Sequence, residues 1–225
     1  MTELSLVVFD VDGTLIDSQA HIAAALEAMY RDGGRQAPDR TVLLSIVGLS
    51  LTQAIQRLEP DLSDAAVADW AAAYRAHFVD LRRTDAPSPM YPGAKACLDR
   101  LMAVDPLLLG VATGKARRGL DHLIAAHDLS RYFVTLQTSD LHPSKPHPAM
   151  LEAALAEAGV PASRAVMIGD TTFDMDMGAA AGVATVAVTW GYHSEERLRG
   201  TAANAVAHSF DEVAPAVGAL LGHAL

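Results

Sequence analysis

Two kinds of apolar pattern alternate along this chain. Leu6-Val7-Val8-Phe9, Leu107 to Ala112, Tyr132 to Leu136, Ala165 to Ile168 and Ala184 to Val188 are short, continuous apolar runs, several rich in Val, Ile and Leu. Runs of that kind read as strands buried on both faces. The first strand spans Leu4 to Phe9. Between the strands, apolar residues recur at helical spacing. They predict helices over Ala94 to Ala103, Ala116 to Ala126, Pro148 to Ala158 and Met175 to Ala181, and a last helix from about Asp211. Strands that alternate with helices imply right-handed crossovers and a parallel sheet.

From Asp17 to about Arg83 the β-branched runs vanish and the spacing is helical throughout. Ile22, Leu26, Met29 and Tyr30 mark one helix, and Leu51, Ile55 and Leu58 a second that Pro60 closes. Val67, Trp70, Ala71, Tyr74, Phe78 and Leu81 mark a third, longer one, and Asp85-Ala86-Pro87-Ser88-Pro89 reads as a linker. The expected fold class is therefore α/β, with a parallel-sheet core (residues 1–16 and 87–225) interrupted by an all-helical domain (residues 17–86).

Composition narrows the function. Of 225 residues 51% are apolar and 20% charged, enough for a sizeable core. The formal net charge is −10, the only lysines are Lys95, Lys115 and Lys145, and no basic run occurs, which argues against nucleic acid as the main partner. A single cysteine, Cys97, allows no internal disulfide, fits a reducing compartment, and sits in an apolar helical pattern as core filler. The N-terminus begins Met1-Thr2-Glu3 without a basic region, and no window has the ~18 uninterrupted apolar residues of a membrane helix. The expectation is a cytoplasmic protein without membrane or nucleic-acid partners, monomeric or homodimeric.

Candidate chemistry gathers in four polar clusters at the carboxyl ends of the predicted strands, the edge where open α/β sheets build their sites. They are Asp10 with Asp12; Thr113-Gly114; Lys145 among Pro143, Pro146 and Pro148; and Gly169-Asp170-Thr171-Thr172-Phe173-Asp174. Strand alternation would point Asp10 and Asp12 the same way. Each cluster alone also fits a bland role: a polar turn, a helix cap or a solvated lysine. Together they suit phosphoryl transfer. Carboxylates offer hard oxygen ligands for Mg²⁺, a lysine and a hydroxyl contact phosphate oxygens, one carboxylate attacks phosphorus, and another moves protons.

DVDGT at 10–14, the Thr after a strand at 113, the Lys of KPHP at 145–148 and GDTTFD at 169–174 resemble the four ordered motifs of the haloacid dehalogenase-like hydrolase superfamily. The likeness spans nearly the whole chain, and the helical insert resembles the family's C1 cap. In detail the chain is most similar to the phosphoglycolate phosphatase-like branch. The resemblance implies a Rossmann-like core with Asp10 as nucleophile and Asp12 as general acid and base. It implies Mg²⁺ held by Asp10, the Asp12 carbonyl and Asp170, with Asp174 a further ligand or a supporting acid. Thr113, Gly114 and Lys145 would bind the phosphate of a small phosphorylated metabolite, a phosphoglycolate-like ester among the candidates. Dehalogenase members lack the second Asp of the first motif, so Asp12 favours phosphate over halide chemistry. Residues 1–94 contain no lysine, which counts against the phosphonatase-like and β-phosphoglucomutase-like branches, both users of a cap lysine. The alternatives are a phosphomutase of the same fold and, in another class, a phospho-acceptor signalling module.

Specificity would come from the helical insert. Gly48-Leu49-Ser50-Leu51 is a candidate substrate-facing loop, although Leu49 and Leu51 equally fit a core. Arg57 and His21 are candidates to meet an anionic tail, although Arg57 equally fits a solvated helix face. Trp190-Gly191-Tyr192-His193 either lines the pocket or closes a turn.

Overall fold

The computed structural model describes residues 3–223. Six parallel strands form one sheet: β1 (Ser5–Phe9), β2 (Leu107–Thr113), β3 (Phe133–Thr138), β4 (Ala165–Gly169), β5 (Ala184–Val188) and β6 (Ala205–Ala207), in the order β3-β2-β1-β4-β5-β6. The chain steps from β1 outward to β3, then returns past β1 to β4 and continues the other way. The carboxyl ends of β1 and β4 therefore flank the point where the winding reverses, where such sheets open a crevice.

Side-chain alternation along β1 serves two cores. Val7 and Phe9 join an apolar cluster with α5 (Ala94–Met102), α6 (Arg117–Ala126) and α10 (Phe210–Leu221). Leu6 and Val8 join another with α7 (Ala149–Ala158) and α8 (Thr172–Ala180). Cys97 is buried in the first cluster, and Met175 and Met177 are buried as well. Between β1 and α5 lie α1 (Gln19–Asp32), α2 (Arg40–Leu44), α3 (Leu51–Leu58) and α4 (Asp64–Thr84). These helices have their own apolar core, in which Tyr30 meets Trp70 edge-on at 5.0 Å. Phe173 of α8 inserts into that core from the sheet side. The two connections to the helical unit run side by side: Asp17 N donates to Pro89 O (2.9 Å) and Tyr91 N to Leu15 O (3.0 Å). Among the described residues no helix is long and apolar enough to cross a membrane.

Helical and strand spacing predicted the long elements, with three kinds of difference. α8 starts at Thr172, three residues before the predicted Met175, because Thr171 and Asp174 form a reciprocal capping box. β3 extends through Gln137 and Thr138, polar but buried, since Gln137 Nε2 is satisfied by Thr135 Oγ1 (2.7 Å) and Glu157 Oε2 (2.8 Å). The five-residue α2 and α9 (Glu195–Arg199) and the three-residue β6 are too short for periodicity to reveal.

Candidate active site

β1 ends at Phe9, and the Asp10 amide extends its pairing by donating to Ile168 O (2.9 Å). The chain then turns tightly, with Leu15 and Ile16 amides both donating to Val11 O. Gly13 is required twice over. Its φ is +84°, and a Cβ there would lie 2.3 Å from Asp170 Oδ2. The strand has already ended at Phe9, so the turn rather than strand alternation sets the acid pair. Both border one cavity, but they face different partners.

Asp10 is buried, and one of its oxygens joins one each from Asp170 and Asp174 in a group lying within 4.8 Å of one another. Lys145 Nζ, fully buried, lies 2.5 Å from Asp174 Oδ1 and 3.1 Å from Asp10 Oδ1. Asp174 is fully engaged, since its Oδ2 also accepts from Thr171 N (3.0 Å) and Thr171 Oγ1 (2.7 Å). Asp170 accepts Thr14 Oγ1 at one oxygen and Tyr192 N at the other, both at 2.8 Å. Asp10 differs: Oδ1 meets only the Lys145 ammonium, and Oδ2 has no hydrogen-bond partner.

Three buried carboxylates face one ammonium. Burial pushes Asp10 up to about 7, with Asp174 adding and Lys145 opposing. Burial, then Asp174 and Asp10, likewise push Asp170 up. Burial alone would lower Lys145, but Asp10 and Asp174 outweigh it and hold the ammonium at about 12. Buried carboxylates that lack enough positive charge, with one oxygen unpartnered, fit a hard divalent cation. Lys145 does not border the cavity; it stands behind Asp10 with one N–H still free of the two acids.

The Asp12 carboxylate is outside the acid group. Oδ1 accepts Ser18 Oγ (2.5 Å), and Oδ2 pairs with Lys115 Nζ (2.9 Å). Thr113, at the end of β2, accepts the Lys115 amide (3.2 Å), which leaves its own hydroxyl proton to donate. Gly114 borders the cavity close against the helical unit: a Cβ there would meet Gly48 O at 2.5 Å.

The cavity, about 320 Å³, lies between these strand ends and the helical unit. Gly48 to Leu51 line it, as the loop reading expected, with Leu49 buried in the helical core as well. Arg57 and His21 do not. Arg57 lies over the Phe173 ring (5.4 Å), and His21 holds the linker through Ser88 Oγ (2.7 Å) and Asp85 Oδ2 (3.4 Å). The cavity instead receives Arg75, Phe78, Val79 and Arg82 from α4, Lys115 from the loop after β2, and Arg118 and Gly119 from the start of α6. The i, i+3, i+4, i+7 spacing on α4 is the legible signal for that face. Absence of lysine from residues 1–94 thus does not leave the cavity without one, because Lys115 comes from the core. Trp190 to His193 close the site. Trp190 Nε1 donates to Thr14 O (3.0 Å), Tyr192 N holds Asp170, and His193 accepts Thr172 N and donates to Ser45 O (both 3.0 Å).

Fold and site define a class: an α/β enzyme with a buried acid cluster at the sheet's switch point, facing a cavity beneath helices. A family model described as haloacid dehalogenase-like hydrolase matches residues 7–188. The chain belongs to that family. It is 35% identical over 219 residues to a Dickeya dadantii protein named probable phosphatase IndB, covering 96% of this chain and 94% of that one. It is 32% identical over 194 residues to a phosphoglycolate phosphatase of Pseudomonas syringae pv. tomato, covering 84% and 70%. A haloacid dehalogenase-like family hydrolase from Streptococcus pneumoniae shares the fold with TM-score 0.80 and 24% identity, over 96% of this chain and 99% of that one.

Proposed function

We propose that the protein is a Mg²⁺-dependent phosphatase that hydrolyses a small phosphate monoester through an aspartyl-phosphate on Asp10. The observation that carries this reading is the buried Asp10 carboxylate. Its Oδ1 meets only the Lys145 ammonium, its Oδ2 has no partner, and it borders a cavity that Asp12 also lines. Asp10, Asp170 and the Asp12 main-chain carbonyl would hold the cation, and Asp174, already engaged by Lys145 and Thr171, would support them. The ion supplies positive charge for the phosphate oxygens when bound. Residues 17–86 act as a cap on the core of residues 1–16 and 87–225. Names of relatives bring phosphoglycolate in as one candidate substrate.

Asp10 attacks phosphorus and the ester P–O bond breaks, leaving phosphate on the Asp10 carboxyl oxygen. Asp12 gives its proton to the departing alkoxide, then takes one from the water that attacks the same phosphorus and frees Asp10. Ser18 and Lys115 fix the Asp12 carboxylate for both transfers. Thr113 donates to phosphate oxygens, and Lys145, behind Asp10, holds the Asp10 and Asp174 carboxylates in place.

Leaving-group dependence tests this division. With Mg²⁺ the protein is expected to hydrolyse 4-nitrophenyl phosphate and alkyl phosphates, and to lose both activities with EDTA. Asp12→Asn is expected to slow the first step with alkyl phosphates by about 10²–10⁴-fold. Pre-steady-state release of 4-nitrophenolate, which leaves without a proton, is expected to suffer far less. Equal losses in the two first steps would remove the acid role from Asp12.

A further inference from the structure

We infer that the cavity contains a second anion-binding subsite built by Arg82 and Arg118, with Arg75 at its edge. The substrate is then a phosphomonoester carrying a second anionic group beyond an apolar spacer. The inference rests on the phosphatase reading above and sharpens its substrate class.

Four observations converge. First, on α4 the cavity-facing stripe is Arg75, Phe78, Val79, Arg82, so cations stand where a helix packed on a core would carry apolar residues. Second, the Arg82 Nε is shielded from solvent and has no hydrogen-bond partner. Burial and then the Arg118 charge depress its guanidinium, and the two like charges border one cavity. Burial and then Arg82 depress His122 too, a sign of the same local positive field.

Third, no acid of the wall is paired with them. Asp10 faces Lys145, Asp12 faces Lys115 and Ser18, and Asp140 Oδ2 accepts the Arg117 amide (2.5 Å). Among the described residues no carboxylate oxygen forms an ion pair with Arg75, Arg82 or Arg118. Their sequence neighbours do pair: Arg83 with Asp80, and Arg117 with Asp121. In a chain of net charge −10, an unpaired cationic pair at a cavity wall, Arg82 half-buried and Arg118 exposed, is an arrangement suited to a carboxylate or phosphate, which guanidinium groups bind by forked hydrogen bonds.

Fourth, the cavity is too large for a phosphate with a very short tail. Its 320 Å³ reaches the range of pockets that take drug-sized ligands. Ile22, Leu26, Val47 and Phe78 make much of its wall apolar. A substrate that fills it has an apolar or planar body between its two charged ends.

The test compares ω-carboxyalkyl phosphates, from phosphoglycolate upward in length, with alkyl phosphates of matching length. At one spacer longer than that of phosphoglycolate, the carboxylate is expected to raise kcat/KM by about 10- to 100-fold, the worth of charge-assisted hydrogen bonds. Arg82→Gln and Arg118→Gln are each expected to bring that ratio toward unity, while Arg83→Gln keeps it. The ratio is internal to each variant, so a loss of folded protein does not mimic the result. Unity in the wild type at every length, or a ratio unchanged in both variants, overturns the subsite. A maximum at phosphoglycolate itself overturns the spacer. Hydrolysis of none of these esters sinks the phosphatase reading instead.

Discussion

Asp10→Asn is expected to cut kcat for any phosphate ester by at least about 10³-fold, roughly 4 kcal/mol of barrier, without unfolding the protein. Asparagine keeps the size of aspartate but replaces an anionic oxygen with a neutral amide, a poor nucleophile toward phosphorus. Stability should move the other way. Asp10 sits among Asp170 and Asp174 with only Lys145 to oppose three buried carboxylates. Neutralising it relieves repulsion, so the metal-free variant is expected to melt no lower than metal-free wild type. Loss of turnover together with retained or raised thermal stability separates a chemical role from a structural one. Turnover within tenfold of wild type in a clean preparation would remove Asp10 from the nucleophile's place.

The largest expected loss of stability comes from Lys145→Met. Methionine fills the space of the lysine stem but brings no charge. Lys145 is fully buried and contacts Asp10 and Asp174, so its removal leaves two buried acids facing each other without a cation. Breaking a buried ion pair by deleting one partner costs roughly 3–5 kcal/mol. The shift in urea midpoint between metal-free wild type and variant measures it. A divalent cation bound by the folded state stabilises by mass action and supplies the missing charge, so Mg²⁺ is expected to stabilise the variant more than the wild type. Equal midpoints for the two metal-free proteins would show that Lys145 does not balance the acid cluster.

Much of the centre of this molecule was legible in its sequence because strand ends are local features. Leu6 to Phe9 reads as a buried strand, and whatever follows such a strand in an α/β sheet lies on the carboxyl edge. Asp10, Thr113 and Asp170 follow strands in that way, and the structure brings them to one edge. Lys145 has no strand immediately before it; the structure delivers it from a loop by way of Asp174.

What sequence reading missed lies between elements rather than within them. His21 and Arg57 were plausible contacts for an anionic tail, but α1 and α3 turn them toward the linker and Phe173. Arg75 and Arg82 share one face of α4, and that much was visible in their spacing. That this face meets the start of α6 depends on how the helical unit sits on the sheet, which only the tertiary arrangement decides. The same holds for Lys115, whose pairing with Asp12 joins residues 103 positions apart. Trp190 to His193 read equally as a pocket wall or a turn, and they fasten Thr14, Asp170, Thr172 and Ser45 together instead.

The central claim is that phosphate is carried on Asp10. Trapping it is the most direct test. Asp12→Asn, slowed in the hydrolysis step, would be mixed with Mg²⁺ and 4-nitrophenyl phosphate, quenched and reduced with borohydride, and its peptides read by mass spectrometry. The account predicts homoserine at position 10, the reduction product of an acyl phosphate on that residue. Aspartate unchanged at position 10 while a burst of 4-nitrophenolate is released, or reduction at another acid, would contradict it.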